Sequence, residues 1–133
     1  MERAMATLTI EHQDNITIVK VSGKVTFDDI ADTIRTRYHE VKRHLIWDFT
    51  DGDATGISSD DFRMVLRLVK EHRPYYEDSK TAYISPFDIN FGMTRMFSAY
   101  AEVTNMPYPY KAFHSFEEAA EWLNGGDHRE RGL

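Results

Sequence analysis

The 133-residue chain carries 22 acidic against 16 basic side chains, a net charge of -6, and no cysteine. The length suits one domain that buries roughly two-thirds of its extended-chain surface. The absent cysteines exclude disulfides, thiolate metal sites and a cysteine nucleophile, and the acidic balance opposes attraction to phosphate backbones, so nucleic acid is not an expected partner.

No apolar run reaches the roughly 18 residues of a membrane span, and Met1 to Ala6 lacks the apolar stretch of a signal peptide, so a cytoplasmic protein without membrane insertion is expected. The expected domain is 7–123, with 1–6 and 124–133 as flexible termini.

Thr7 to Glu11 alternates polar and apolar residues, and Ile16 to Val21 is rich in β-branched ones, which predicts a hairpin across the polar link His12 to Asn15. Gly23 is expected to end the second strand. Thr26 and Asp29 have the spacing of a capping box for a helix whose stripe is Phe27, Ile30, Ala31, Ile34, Tyr38 and Val41. In the third strand, His44 to Phe49, the run Leu45, Ile46, Trp47 predicts burial on both faces of a parallel sheet. Ser58 or Ser59 caps a second helix with Asp60 and Asp61 in its first turn, a core stripe of Phe62, Val65, Leu66 and Val69, and Arg63, Arg67 and Lys70 on a solvated face. Pro74 stops it. Thr81 to Ser85 is a fourth strand, a third helix opens at Pro86 and Asp88 and runs to about Thr104, and Pro107 to Phe113 holds a fifth strand. Ser115 and Glu118 form a capping box for a last helix ending near Leu123, with Gly125 as its stop. The expectation is an α/β single domain: a mixed five-stranded sheet with an N-terminal hairpin at its edge and four helices.

That order of elements resembles the STAS domain family, and more narrowly its SpoIIAA-like (STAS/SEC14) group of small bacterial proteins. The residues carrying the narrower resemblance are Val21-Ser22-Gly23-Lys24-Val25-Thr26, Trp47-Asp48-Phe49, Phe91-Gly92-Met93-Thr94-Arg95-Met96, and the terminal stretch from Phe113 to Leu123. The resemblance implies a regulatory or protein-interaction module without catalysis or cofactor, like an anti-sigma factor antagonist, with a protein partner. The alternative is a carrier or sensor of a small apolar or lipid-like ligand, through the tie to SEC14-type carriers.

The turn between third strand and second helix holds a regulatory serine in the phosphorylated antagonists. The resemblance places Asp53-Ala54-Thr55-Gly56 there, with Thr55 as candidate phosphosite and Ser58 and Ser59 as alternatives. A phosphate would add about -1.5 to -2 charge beside Asp51, Asp53, Asp60 and Asp61, so a structural turn with capping serines is the favoured reading. Asp51 to Gly56 also copies the start of an EF-hand loop, but position twelve is Phe62 and the entering element is a strand, so no metal is expected. Asp48, Asp51, Asp53 and Asp60 are the expected partner-binding residues, since ligands of open α/β sheets meet the carboxyl ends of the strands. Phe87, Phe91, Met93, Met96 and Tyr100 are the candidate apolar ligand or dimer surface. The six histidines lack metal-type spacing and are read as surface residues, and no catalytic motif is present.

Overall fold

The computed structural model describes residues 6–74, 78–85 and 109–125. Among them the elements are β1 (Thr7–Gln13), β2 (Ile16–Lys24), α1 (Phe27–Arg37) with a 3-10 turn (Tyr38–Glu40), β3 (His44–Asp53), α2 (Ser59–His72), β4 (Thr81–Ile84), β5 (Tyr110–Phe113) and α3 (Phe116–Leu123). The helix expected over Asp88 to Thr104, with Phe87, Phe91, Met93, Met96 and Tyr100, lies outside the described residues.

The five strands form one mixed sheet in the order β1-β2-β3-β4-β5. β1 is antiparallel to β2 and every other pairing is parallel. The hairpin turn is tighter than the sequence suggests: pairing runs to Gln13 opposite Ile16, and Asp14 takes φ 56, a left-handed conformation that aspartate tolerates.

Successive crossovers from β2 to β3 and from β3 to β4 step the same way across the sheet, so a common right-handedness sets α1 and α2 on one face. Leu45, Trp47 and Phe49 turn to that face and join Val19, Val21, Ile34, Val65 and Val69, while Ile46 turns to the other and meets Ile18, Ile84, Ala119 and Leu123 of the second layer. The two-faced burial read from Leu45, Ile46 and Trp47 is therefore real. Each such aliphatic contributes roughly 1.5–3 kcal/mol on burial. Tyr38 lies in the 3-10 turn rather than in α1 itself, and its hydroxyl accepts the buried Trp47 indole N–H at 2.8 Å, so neither polar atom is stranded in the core.

The helix starts follow the sequence at two sites. Thr26 with Asp29, and Ser58 with Asp61, form complete capping boxes. At the last helix the box is altered: Ser115 accepts the Glu118 amide, but the Glu118 carboxylate accepts from His114 N–H at 3.3 Å instead of from Ser115. Gly125, at φ 91, closes α3.

His44 departs from the surface reading. It is buried at the start of β3, where Nδ1 accepts from the Lys80 amide at 3.2 Å. Burial, then the charges of Lys80, Arg43 and Arg73, push its pKa down to about 4, with Asp78 opposing. Between the ordinary value of 6.5 and about 4 the unfolded chain binds the extra proton, so stability falls as pH drops through that window. The full loss from this residue is on the order of 3 kcal/mol. His44→Asn keeps an acceptor near Nδ1 and is expected to flatten the stability profile between pH 6.5 and 4 in urea titrations; a profile as steep as the parent's would contradict the assignment.

Candidate functional site

The acidic stretch is built by a break in the pairing of β2 with β3. Lys20 pairs with Asp48, but Ser22 pairs with Asp51, so two steps on β2 match three on β3 and one extra residue is inserted near Phe49 and Thr50. Such a bulge reverses the alternation of side chains beyond it. Without it Asp51 and Asp53 would follow Leu45, Trp47 and Phe49 into the core. With it they share the outer face with Ser22 and Lys24, their register partners.

The strand therefore does not end at Phe49 as expected. It runs to Asp53, alongside a β2 that continues through Gly23 to Lys24. Two glycines make this extension feasible. Gly23 has φ 86, and a Cβ on its register partner Gly52 would lie 2.9 Å from Val21 Cγ1. Asp51, Gly52 and Asp53 are thus strand residues, and the true loop is only Ala54 to Ser58. The same geometry removes the resemblance of Asp51 to Gly56 to a calcium loop, which must coil around its ion. Among the described residues no three of His, Asp and Glu gather in a way that could hold a metal.

Each candidate aspartate has a different setting. Asp48 is half-buried inside β3, level with Ile84 at the end of β4, and one of its oxygens accepts from the Thr50 amide and hydroxyl. Asp53 repeats that turn: Oδ1 accepts from the Thr55 amide at 2.9 Å and hydroxyl at 2.6 Å. The Thr55 hydroxyl, then its amide, with Lys24 adding attraction, hold the Asp53 carboxyl below its ordinary value. Asp51 is exposed on the outer face. Asp60 is exposed in the first turn of α2, with Arg63 at 3.3 Å, an ion pair too solvated to fix it firmly. The four carboxylates are spread along β3 and into the first turn of α2, and among the described residues they form no metal-type cluster.

Of the candidate phosphosites, Thr55 is exposed with its hydroxyl committed to Asp53, and Ser58 is the N-cap, accepting the Asp61 amide at 3.1 Å. Ser59 is the first residue of α2. Ser85, read only as a strand end, is fully buried just beyond β4, and its hydroxyl has no hydrogen-bond partner among the described residues. No sequence signal separates it from an ordinary strand-terminal serine. The apolar cavity under α1 and α2, lined by Trp47, Phe49, Tyr83 and others, measures about 20 Å³. Ligand pockets need roughly 300 Å³ or more, so this part of the core holds no carrier site.

No protein-family profile matches the sequence, and no curated protein is similar to it. Solved structures are. An uncharacterized protein with a SpoIIAA-like fold from Shewanella loihica PV-4 superposes with TM-score 0.58 at 20% identity, covering 92% of this chain and 98% of its own. The chain has a SpoIIAA-like fold. An anti-sigma factor antagonist from Mycobacterium paratuberculosis matches with TM-score 0.54 at 13% identity, over 90% of this chain and 95% of its own. The anti-sigma factor antagonist SpoIIAA in its unphosphorylated form matches with TM-score 0.51 at 14% identity, over 90% and 99%. At these identities the likeness establishes the SpoIIAA-like fold alone.

The Asp53–Thr55 turn makes a direct prediction. Thr55→Val removes the hydroxyl while leaving the amide, so the Asp53 carboxyl is expected to titrate nearer its ordinary value in carbon-detected NMR. An unchanged midpoint would show that the hydroxyl does not hold the carboxylate.

Proposed function

We propose that this SpoIIAA-like domain is a non-catalytic, cytoplasmic regulatory module that recognises a basic protein partner through the carboxyl edge of its sheet. The observation that carries this is the bulge in β3, which brings Asp51 and Asp53 to the outer face beside Thr55. Asp48, earlier in β3, and Asp60, in the first turn of α2, extend the pair into an acidic ridge. Asp28 and Asp29 stand in the first turn of α1 and Asp61 in that of α2, so the potential over this edge is negative. The reciprocal capping bonds of Ser58 and Asp61 already engage two amides at the start of α2, and the carboxylates of Asp60 and Asp61 stand there, so the edge favours cations over anions. Solved neighbours of the same fold include anti-sigma factor antagonists, which supports a regulatory role.

Recognition by a pre-formed acidic ridge is favoured over a phosphoswitch at Thr55. Phosphorylation would have to break the Thr55–Asp53 bond and then place about -1.5 to -2 charge against Asp53 itself.

The test is affinity capture from a lysate of the host, at low and high salt, using the parent and an Asp51→Asn, Asp53→Asn double variant, followed by calorimetry on the captured partner. One protein retained by the parent and bound at least tenfold more weakly by the variant, with affinity falling as salt rises, is the expected result. Equal affinity of parent and variant would remove the ridge from recognition. A stoichiometric apolar molecule seen by native mass spectrometry, with no protein partner, would move the function to ligand carriage.

A further inference from the structure

The opposite end of the sheet carries a cavity of about 570 Å³, within the range of roughly 300–1,000 Å³ typical of small-molecule sites. Its described lining includes Arg43 and His44 at the start of β3, Asp78, Ser79 and Lys80 ahead of β4, and Leu123 at the end of α3. Several backbone amides on this edge are already used. His44 N–H donates to Asn15 at 2.9 Å, Leu45 N–H to Lys80 at 3.0 Å, and Thr81 N–H to Pro109 at 3.0 Å. Recognition in this cleft therefore falls to side chains.

Those side chains are predominantly cationic or donors. Arg43 is exposed at the rim. Lys80 Nζ donates to the Trp122 carbonyl at 2.9 Å and sits 5.1 Å from the centre of the Trp122 ring, which anchors the ammonium beside the C-terminal end of α3. Behind them the buried Arg73 guanidinium donates to the carbonyls of Arg43 and Lys80 at 3.2 and 3.3 Å and to the Thr81 hydroxyl. Among the described lining residues Arg43 and Lys80 are cationic and Asp78 is the one carboxylate, with Arg73 held behind them, in a chain whose net charge is -6. Because His44 Nδ1 accepts the Lys80 amide, a neutral His44 carries its proton on Nε2 and can act there as a donor.

We propose that this cleft binds a small organic oxyanion, its oxygens held by Arg43, Lys80 and the His44 Nε2–H, and its carbon portion resting against Leu123. Carboxylates and phosphates share the required chemistry, two or more acceptor oxygens with negative charge. The site is independent of the acidic ridge and lies at the other end of the strands. Occupancy has a built-in reporter. Lys80, Arg43 and Arg73 add to burial in keeping the His44 imidazole hard to protonate, with Asp78 opposing, and an anion seated among them would counter that repulsion.

The experiment is an NMR titration of the full chain with inorganic phosphate and, separately, with succinate, at constant ionic strength. Saturable shifts at the Ser79, Lys80 and Gly125 amides, with a rise in the His44 pKa, are expected for at least one anion; the tighter of the two identifies the oxyanion class. Arg43→Gln, an exposed change, is expected to weaken binding at least tenfold, whereas Arg67→Gln on the exposed face of α2 leaves it unchanged. Shifts that rise linearly without saturation for both anions, or equal affinities in the parent and Arg43→Gln, would overturn the proposal.

Discussion

Everything described above depends on how β2 and β3 pair. They are the longest of the described strands, they share the centre of the sheet's hydrogen bonding, and each supplies both layers of the core. Over Ile16 to Lys20 the pairing is regular and the side chains alternate between the two layers. One extra residue in β3 then reverses the alternation. That single insertion converts a core-forming strand into one that displays carboxylates, without a loop and without a buried charge. The alternative, two ionised aspartates under α1 and α2, would cost several kcal/mol each. Val21, packed against Gly52, leaves room for nothing larger at the crossing point.

The same pairing polarises the molecule. Parallel strands all begin at one edge and end at the other, so residues flanking the strands sort by position into two surfaces. Asp48, Asp51, Asp53 and Asp60 gather towards the carboxyl end, whereas Arg43, Arg73 and Lys80 gather at the amino end around His44. Arg73 is the structural link there. As the C-cap of α2 it joins that helix to the starts of β3 and β4, so the cationic edge belongs to the frame of the domain and is not a decoration of its surface.

Much of this was legible in the sequence, for identifiable reasons. Leu45-Ile46-Trp47 can only be buried on both sides, Thr26/Asp29 and Ser58/Asp61 are local caps that need no tertiary context, and the alternation of strands with helices fixes a largely parallel sheet. The acidic residues Asp48, Asp51, Asp53 and Asp60 stand out in the sequence, but their setting does not. A polar run containing Gly52 reads as a loop, because local propensity cannot register that β2 extends through Gly23 and Lys24 to pair with it. For the same reason His44 reads as a surface residue: the amide that its ring accepts belongs to Lys80, 36 positions away. The sheet order and the amino-edge cleft likewise arise from long-range contacts, to which period and capping are blind.

The most direct test of the account is the register of β2 against β3 in solution, read from through-space NMR contacts between backbone protons of Ser22 to Lys24 and those of Thr50 to Asp53. The bulged register predicts contacts pairing Ser22 with Asp51, Gly23 with Gly52 and Lys24 with Asp53. Contacts pairing Ser22 with Thr50, Gly23 with Asp51 and Lys24 with Gly52 would mean that β3 has no extra residue, and would contradict the outward display of the aspartates.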